Sequence, residues 1–235
     1  MIRRLGVNID HIATVRQARR SVYPEPAHAA LIAEQAGAQQ ITCHIRGDRR
    51  HIQERDLEVL RAVVTTQLNV ECAATDEMMG LMERYLPHRV TLVPERVEEV
   101  TTEGGLDLLA TGDEVRAAAE RLRAKGVLVS LFIDPDPIQV SVAAQVPGVD
   151  QIELNTARYA ENHPNELRRL SLACAQARGL KLVVAAGHGL THLNLRELVL
   201  GAPDIEEYNI GHSIVSRALF VGFDRAVRDI MDLLR

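Results

Sequence analysis

Short segments rich in β-branched residues alternate with longer amphipathic segments along the whole 235-residue chain. A strand that is buried on both faces is a short apolar run, whereas a helix that packs one face repeats its apolar residues at helical spacing. The short segments predict eight strands: Leu5–Ile9, Gln40–Ile45, Leu68–Ala73, Arg89–Val93, Val127–Ile133, Gln151–Leu154, Lys181–Ala185 and Glu206–Ile210. The longer segments predict helices between them: Pro26–Ala36, Asp56–Val64, Asp76–Tyr85, Asp113–Ala124, Pro137–Gln145, Asn165–Ala177, Leu193–Leu200 and Ser213–Phe220.

Eight strand–helix units in a chain of this length predict an α/β fold, the (β/α)8 TIM barrel. Asp224–Leu234 is predicted to be an additional C-terminal helix. A doubly wound open sheet is the structural alternative, but the first strand is not followed by the glycine-rich fingerprint of dinucleotide-binding sheets. Because no Ser-, Gly- or Pro-rich linker divides the chain, we expect one domain over residues 1–235.

Composition excludes several classes of partner. The net charge is −5, aromatic residues make up 3% of the chain and Trp is absent, so neither a basic patch nor a stacking surface for nucleic acid is expected. No segment is long and apolar enough for a membrane span, which predicts no membrane partner and a cytoplasmic location. The three cysteines lack metal-site spacing, and we expect reduced thiols.

Lysine is scarce, which restricts the chemistry. Only Lys125 and Lys181 occur, against 25 arginines. Lys181 is predicted to begin the seventh strand, at the N-terminal end of the barrel, and Lys125 to end a surface helix. An aldolase that uses a lysine Schiff base, or an enzyme that carries pyridoxal phosphate on a lysine, is therefore disfavoured.

Polar side chains collect where the predicted strands end. Five of the nine histidines fall on this C-terminal rim, which is the catalytic face of such barrels: His11, His44, His51, His188 and His212. Glu71 and Glu153 lie near the ends of the third and sixth strands. Because imidazole titrates near neutral pH, histidines beside carboxylates favour repeated proton transfers.

Two glycine-flanked histidines predict an anion site. Gly187-His188-Gly189 follows the seventh strand, and Gly211-His212-Ser213 follows the eighth and precedes a helix. Loops at these places commonly bind phosphate through backbone N–H groups. The alternative is two ordinary tight turns. Four arginines could serve a second anion or could be solvated surface charges: Arg16, Arg19, Arg20 and Arg46.

A metal-dependent hydrolase or lyase acting on a phosphorylated metabolite is one alternative function. His11, His44, His188, Glu71 and Asp10 are suitable ligand types, but neither His-x-His nor His-Glu-x-x-His spacing occurs. We therefore expect no metal. A phosphate-binding barrel without catalytic activity is the other alternative.

Several longer motifs follow one another along the chain. They are Gly6-Val7-Asn8-Ile9-Asp10-His11-Ile12-Ala13-Thr14, His44-Ile45-Arg46 through Asp48-Arg49-Arg50-His51-Ile52, Val100-Thr101-Thr102-Glu103-Gly104-Gly105-Leu106-Asp107, Ser130-Leu131-Phe132-Ile133-Asp134, Ala186-Gly187-His188-Gly189-Leu190 and Asn209-Ile210-Gly211-His212. These motifs resemble those of the pyridoxine 5′-phosphate synthase family. The resemblance implies condensation of 3-amino-2-oxopropyl phosphate with 1-deoxy-D-xylulose 5-phosphate to give pyridoxine 5′-phosphate, phosphate and water.

The resemblance also implies roles for individual residues. His44 and Glu71 match proton acceptors, His188 matches a proton donor, and Glu153 matches an acid that stabilises intermediates. The positions that match contacts to the amino-ketone phosphate are Asn8, Arg19, Gly189, Gly211 and His212. Those that match contacts to the deoxyxylulose phosphate are Asp10, His11, Arg46, His51 and Thr101. The family pattern further implies phosphorylated small-molecule substrates, no metal or organic cofactor, and a homo-octamer built from dimers.

The chain departs from the family pattern beside the predicted site. Asn155 and Ala157 stand where family members often have His and Gly, and Ala185 stands where they often have Asn. These differences concern the surroundings of Glu153 and His188, and we expect the acid and base residues themselves to be unaffected.

Overall fold

The computed structural model describes residues 3–95 and 104–235, and its centre is a closed barrel of eight parallel strands in chain order. The strands are β1 (Arg4–Asn8), β2 (Gln40–His44), β3 (Gln67–Cys72), β4 (Arg89–Leu92), β5 (Leu128–Ile133), β6 (Val149–Asn155), β7 (Val183–Gly187) and β8 (Glu207–Ile210). Pairing of β1 with β8, with Leu5 opposite Tyr208, closes the barrel. The predicted TIM-barrel fold is confirmed. Lys181 precedes β7 instead of beginning it, at the same N-terminal end.

The helices surround the strands. They are α1 (Asp10–Arg19), α2 (Pro26–Ala36), α3 (Glu54–Val63), α4 (Asp76–Tyr85), α5 (Gly112–Ala124), α6 (Pro137–Ala143), α7 (Ala157–Ala160), α8 (Glu166–Gly179), α9 (Leu195–Gly201), α10 (His212–Val221) and α11 (Phe223–Leu234). The last of these is the additional C-terminal helix predicted from the sequence. None of the helices in the described ranges is both long enough and apolar enough to span a bilayer.

Helices α1 and α7 were not predicted from the sequence. The buried face of α1 consists of Asp10, Ala13 and Arg16, so two of its three buried positions are charged and the apolar pattern of a helix is absent. Helix α7 has four residues, which is too short for a periodic pattern to be visible.

Arg16 explains why a charged residue can lie inside the fold. Its guanidinium donates to both carboxylate oxygens of Asp56, at 2.8 and 2.6 Å, and the side chains of both residues are buried. The two interpretations offered for Arg16 from the sequence, an anion ligand or a solvated surface charge, are therefore wrong. It ties α1 to the first turn of α3.

The interior of the barrel is polar, although branched apolar residues dominate the interior of most such barrels. At its N-terminal end the buried carboxylate of Glu207 accepts hydrogen bonds from Gln40 at 3.1 Å and from Gln151 at 2.9 Å. Arg89 and Arg4 each lie 3.4 Å from the same carboxylate. Five strands thus meet at one carboxylate, and two arginines place positive charge beside it.

Glu207→Gln should destabilise the fold strongly, because Arg89 would remain buried beside a neutral amide. Removing one partner of a buried ion pair costs about 3–5 kcal/mol. The matched control is Glu206→Gln at the adjacent, partly exposed position. Urea denaturation of the two variants and the parent checks this, and equal midpoints for both variants would show that the pair contributes little.

Candidate active site

A cavity of about 820 Å³ opens at the C-terminal end of the barrel. All five histidines that the sequence analysis assigned to the rim line it. Its wall also contains Asn8, Asp10, Arg46, Arg50, Glu71, Glu153, Gly189, Asn209, Gly211 and Ser213. The strand ends therefore bring residues from distant parts of the sequence into one polar cavity.

His44, the last residue of β2, is fixed by three carboxyl groups. Its backbone N–H donates to Asp10 Oδ1 at 2.6 Å, and its Nε2 lies 3.0 Å from Glu95 Oε1. Its Nδ1 lies 3.8 Å from Glu71 Oε2. Burial lowers the pKa of His44, but the hydrogen bond with Glu95 and the charges of Glu71 and Asp10 outweigh burial and raise that pKa.

Two of these three carboxyl groups, those of Asp10 and Glu71, resist ionisation. Burial, with the charge of Glu71, raises the pKa of Asp10 to about 7. Burial also raises the pKa of Glu71, although His44 and a 3.0 Å hydrogen bond from Asn8 Nδ2 oppose that rise. Asp10 can therefore exchange a proton near neutral pH, and Glu71 holds a proton more readily than an ordinary glutamate.

Glu153 on β6 forms the other side of the cavity floor. Its Oε2 accepts a hydrogen bond from Asn209 Nδ2 at 2.7 Å, and burial raises its pKa well above the ordinary value. Glycines on the neighbouring strands make room for this pair. A Cβ on Gly187 would lie 2.2 Å from the Glu153 carboxyl oxygen, and one on Gly6 would lie 2.0 Å from Asn209 Oδ1.

Two partly buried histidines have lowered pKa values. Burial, followed by the charge of His44, lowers the pKa of His51 to about 3 and that of His188 to about 4. The His188 ring packs against Phe132, with 5.0 Å between ring centroids. Both side chains are thus neutral imidazoles at neutral pH, each with one donor and one acceptor nitrogen.

The glycine-flanked segments lie together on one side of the cavity. Helix α10 begins at His212, and the first N–H groups of an α-helix have no partner within the helix. His11 lies beside it, with 5.2 Å between the His11 and His212 ring centroids. Gly189 has a φ of +71°, a conformation that favours glycine. N–H groups, the helix dipole and two imidazoles together favour an anion here.

Comparison with known sequences identifies the family of this chain. The sequence model of the family described as pyridoxal phosphate biosynthesis protein PdxJ matches residues 5–235. The chain belongs to the PdxJ family. A relative from Citrifermentans bemidjiense, named pyridoxine 5′-phosphate synthase, is 53% identical and the match covers 99% of this chain and 98% of the relative. A Synechococcus protein of the same name is 55% identical, with 96% of each chain covered.

Solved structures at low identity share the barrel fold. KGPDC from Streptococcus mutans is 15% identical, with a TM-score of 0.68 and coverage of 100% of this chain and 98% of that one. Phosphoribosyl anthranilate isomerase from Thermus thermophilus is also 15% identical, with a TM-score of 0.61 and 98% of each chain covered. These likenesses concern the fold alone.

Of the site residues that the PdxJ pattern implies, all those that the structure describes line the cavity except Arg19. Arg19 is exposed at the C-terminal end of α1 and is not among the lining residues. Thr101 lies outside the described residues. The roles assigned to these two residues, like those assigned to the residues that line the cavity, remain predictions.

The structure gives a second reason for glycine at position 211, beside the one expected from the sequence. The sequence analysis took this glycine to let backbone donors approach an anion. In the structure, a Cβ on Gly211 would lie 2.6 Å from the Cβ of Asn8 and 2.9 Å from its carbonyl oxygen. The glycine permits β1 and the start of α10 to approach each other, and a larger residue would displace the asparagine that holds Glu71.

Glu95 and Asn209 contact site residues, and no role was predicted for either from the sequence. Each follows or ends a strand, and that position is the only signal the sequence carries. Their partners, His44 and Glu153, are 51 and 56 residues away in the chain, so the pairing becomes visible only in the folded protein.

Asp10→Asn should change how stability depends on pH. The folded-state pKa of about 7 exceeds the ordinary value of 3.8, so the folded protein binds more protons between these values and Asp10 costs stability as the pH rises. Asn does not titrate and can still accept the His44 N–H. The stability of the variant relative to the parent should rise between about pH 4 and 7, by at most about 1.4 kcal/mol per pH unit. Urea midpoints measured across this range check it, and a difference that is constant with pH would contradict it.

Proposed function

We propose that this protein is a pyridoxine 5′-phosphate synthase, which condenses 3-amino-2-oxopropyl phosphate with 1-deoxy-D-xylulose 5-phosphate and acts in vitamin B6 biosynthesis. Membership of the PdxJ family and the shared name of relatives that match nearly the whole chain support this reaction. The observation that carries it from the structure is the rim cavity in which His44, Glu71, Glu153 and His188 lie beside the start of α10.

The side chains of the cavity fit the proton transfers that ring formation needs. The amino-ketone substrate supplies its own amine for the imine, so a lysine amine is not required. His44 and Glu71 accept protons, His188 donates one, and Glu153 stabilises intermediates. Two bound phosphates bring negative charge into the cavity, which raises the pKa of nearby imidazoles and favours their protonated, donating form.

Two groups of residues would hold the two phosphorylated substrates. Asn8, Gly189, Gly211 and His212, with Arg19, bind the amino-ketone phosphate. Asp10, His11, Arg46 and His51, with Thr101, bind the deoxyxylulose phosphate. Support comes from the positions of four of these residues, because Arg46 and His51 follow β2 whereas Gly189 and His212 follow β7 and β8. Asn8, Asp10 and His11 lie between them, at the end of β1 and the start of α1, where His11 borders His212. The volume of the cavity lies in the usual range for small-molecule sites.

The proposal includes one domain over residues 1–235, a cytoplasmic location and a homo-octamer built from dimers. The one-domain arrangement is supported by the pairing of β1 with β8, since the barrel closes only when both ends of the chain take part. Association of several copies of the chain is supported by strongly exposed apolar side chains. They are Leu219 and Phe220 near the end of α10 and Leu193 after β7.

The assay that tests the reaction follows the absorbance of the pyridine product when both substrates are mixed with the purified protein. His44→Ala and Glu71→Gln should each lower turnover by roughly 10²-fold or more, as expected for a lost general base. His28→Ala, at an exposed position on α2, is the matched control and should retain parental turnover.

Thermal melting of each variant separates lost chemistry from lost folding. Parental turnover in folded His44→Ala and folded Glu71→Gln would overturn the assignment of these bases. Absence of pyridine product with the folded parent protein would overturn the proposed function itself.

A further inference from the structure

The contact between Glu95 and His44 goes beyond what the family pattern assigns. Glu95 follows β4 and His44 ends β2, and β3 lies between these two strands. The two side chains meet at the C-terminal end of the barrel. His44 Nε2 lies 3.0 Å from Glu95 Oε1, and the two side chains are 8% and 13% exposed. A hydrogen bond that is this well shielded is a strong restraint on an imidazole.

The same carboxylate is itself held in place. Glu95 Oε2 accepts the backbone N–H of Gly47 at 3.0 Å, so both of its oxygens are engaged. Burial acts to raise the pKa of Glu95, but the hydrogen bonds from His44 and Gly47 outweigh it and lower that pKa. Glu95 is therefore an ionised acceptor with a fixed orientation.

An ionised carboxylate can only accept, so Nε2 of His44 must carry the hydrogen. In neutral imidazole the lone pair is then on Nδ1, the atom that faces Glu71 at 3.8 Å. This separation exceeds a hydrogen bond and leaves space at Nδ1 for a proton from a bound molecule. The hydrogen bond from the backbone N–H of His44 to Asp10 Oδ1 also restrains the backbone of His44, from which this side chain extends.

We propose that Glu95 is a positioning residue for His44: it selects the tautomer with hydrogen on Nε2, aims Nδ1 at the substrate and stabilises the imidazolium formed when Nδ1 takes a proton. The proposal rests on the proposed function for the identity of the reaction. The arrangement is the one by which a buried carboxylate orients a histidine base in catalytic triads.

Other groups also influence the ionisation of His44, and the test must separate their effects from that of Glu95. The charged and titratable groups of the cluster are Asp10 on α1, Arg46 and His51 after β2, Glu71 on β3, Glu95 after β4 and His188 after β7. A change at Glu95 alone keeps all of the others in place.

Glu95→Gln is the informative variant because it keeps the size and removes the charge. Its amide can also donate to Nε2 and so permit the opposite tautomer. We expect kcat to fall by about 10²-fold, with KM for both substrates changed by less than about threefold, because Glu95 does not itself bind the substrates in this account. The acidic limb of the kcat/KM profile should move to lower pH, since the imidazolium loses a stabilising charge.

Two further variants sharpen the comparison. Glu95→Asp keeps the charge and should keep the acidic limb of the parent, with a smaller loss of kcat. Glu161→Gln is the matched control, because Glu161 Oε2 lies 3.2 Å from His163 Nε2 in an exposed pair outside the cavity. It should behave as the parent in every measurement.

A second readout does not depend on turnover. Diethyl pyrocarbonate modifies neutral imidazole, so the pH dependence of modification of the His44 peptide, followed by mass spectrometry, gives the pKa of His44. Glu95→Gln should lower it and Glu95→Asp should not. If the parent forms no pyridine product, the proposed function fails, and this pKa alone decides the present inference.

The inference would be overturned by folded Glu95→Gln protein with parental kcat and an unshifted His44 pKa. An equal shift in Glu95→Asp and Glu95→Gln would also overturn it, because the charge would then not be the cause. A rise in KM at unchanged kcat would assign Glu95 to substrate binding instead.

Discussion

Amide side chains from the first and last strands hold two carboxyl groups inside the barrel. Asn8 on β1 donates to Glu71, and Asn209 on β8 donates to Glu153. A buried carboxyl group without such donors would be costly. Because each amide satisfies one carboxyl oxygen, both groups can lie on the cavity floor, where a molecule bound among the five histidines would contact them.

Burial shifts the protonation of several side chains in the cavity. It favours the neutral forms of Asp10 and Glu153, whose pKa values rise, and those of His51 and His188, whose pKa values fall. The result is a set of acids and bases whose protons can be redistributed by the charge of a bound phosphate. At the opposite end, Glu207 is paired with Arg89 and accepts hydrogen bonds from Gln40 and Gln151, so the barrel tolerates a buried charge there as well.

The strands and the rim histidines were predictable because each depends on local pattern. Alternating segments predict strands and helices, and the end of a strand predicts which side chains reach the cavity. Helix α1 was missed because Asp10 and Arg16 occupy its inward face, and Arg16 finds its partner 40 residues away at Asp56. The pairing of His44 with Glu95 and the contact between Gly211 and Asn8 likewise depend on the closed barrel, which brings strands together that are distant in sequence. Sequence spacing alone carries no information on such contacts.

A crystal structure of the protein with pyridoxine 5′-phosphate and inorganic phosphate bound tests the central claim most directly. The account predicts that both ligands occupy the rim cavity, with a phosphate at the start of α10 beside His212 and the pyridine ring within reach of His44 and Glu71. Ligands bound elsewhere, or bound in the cavity with His44 and Glu71 out of contact, would contradict it.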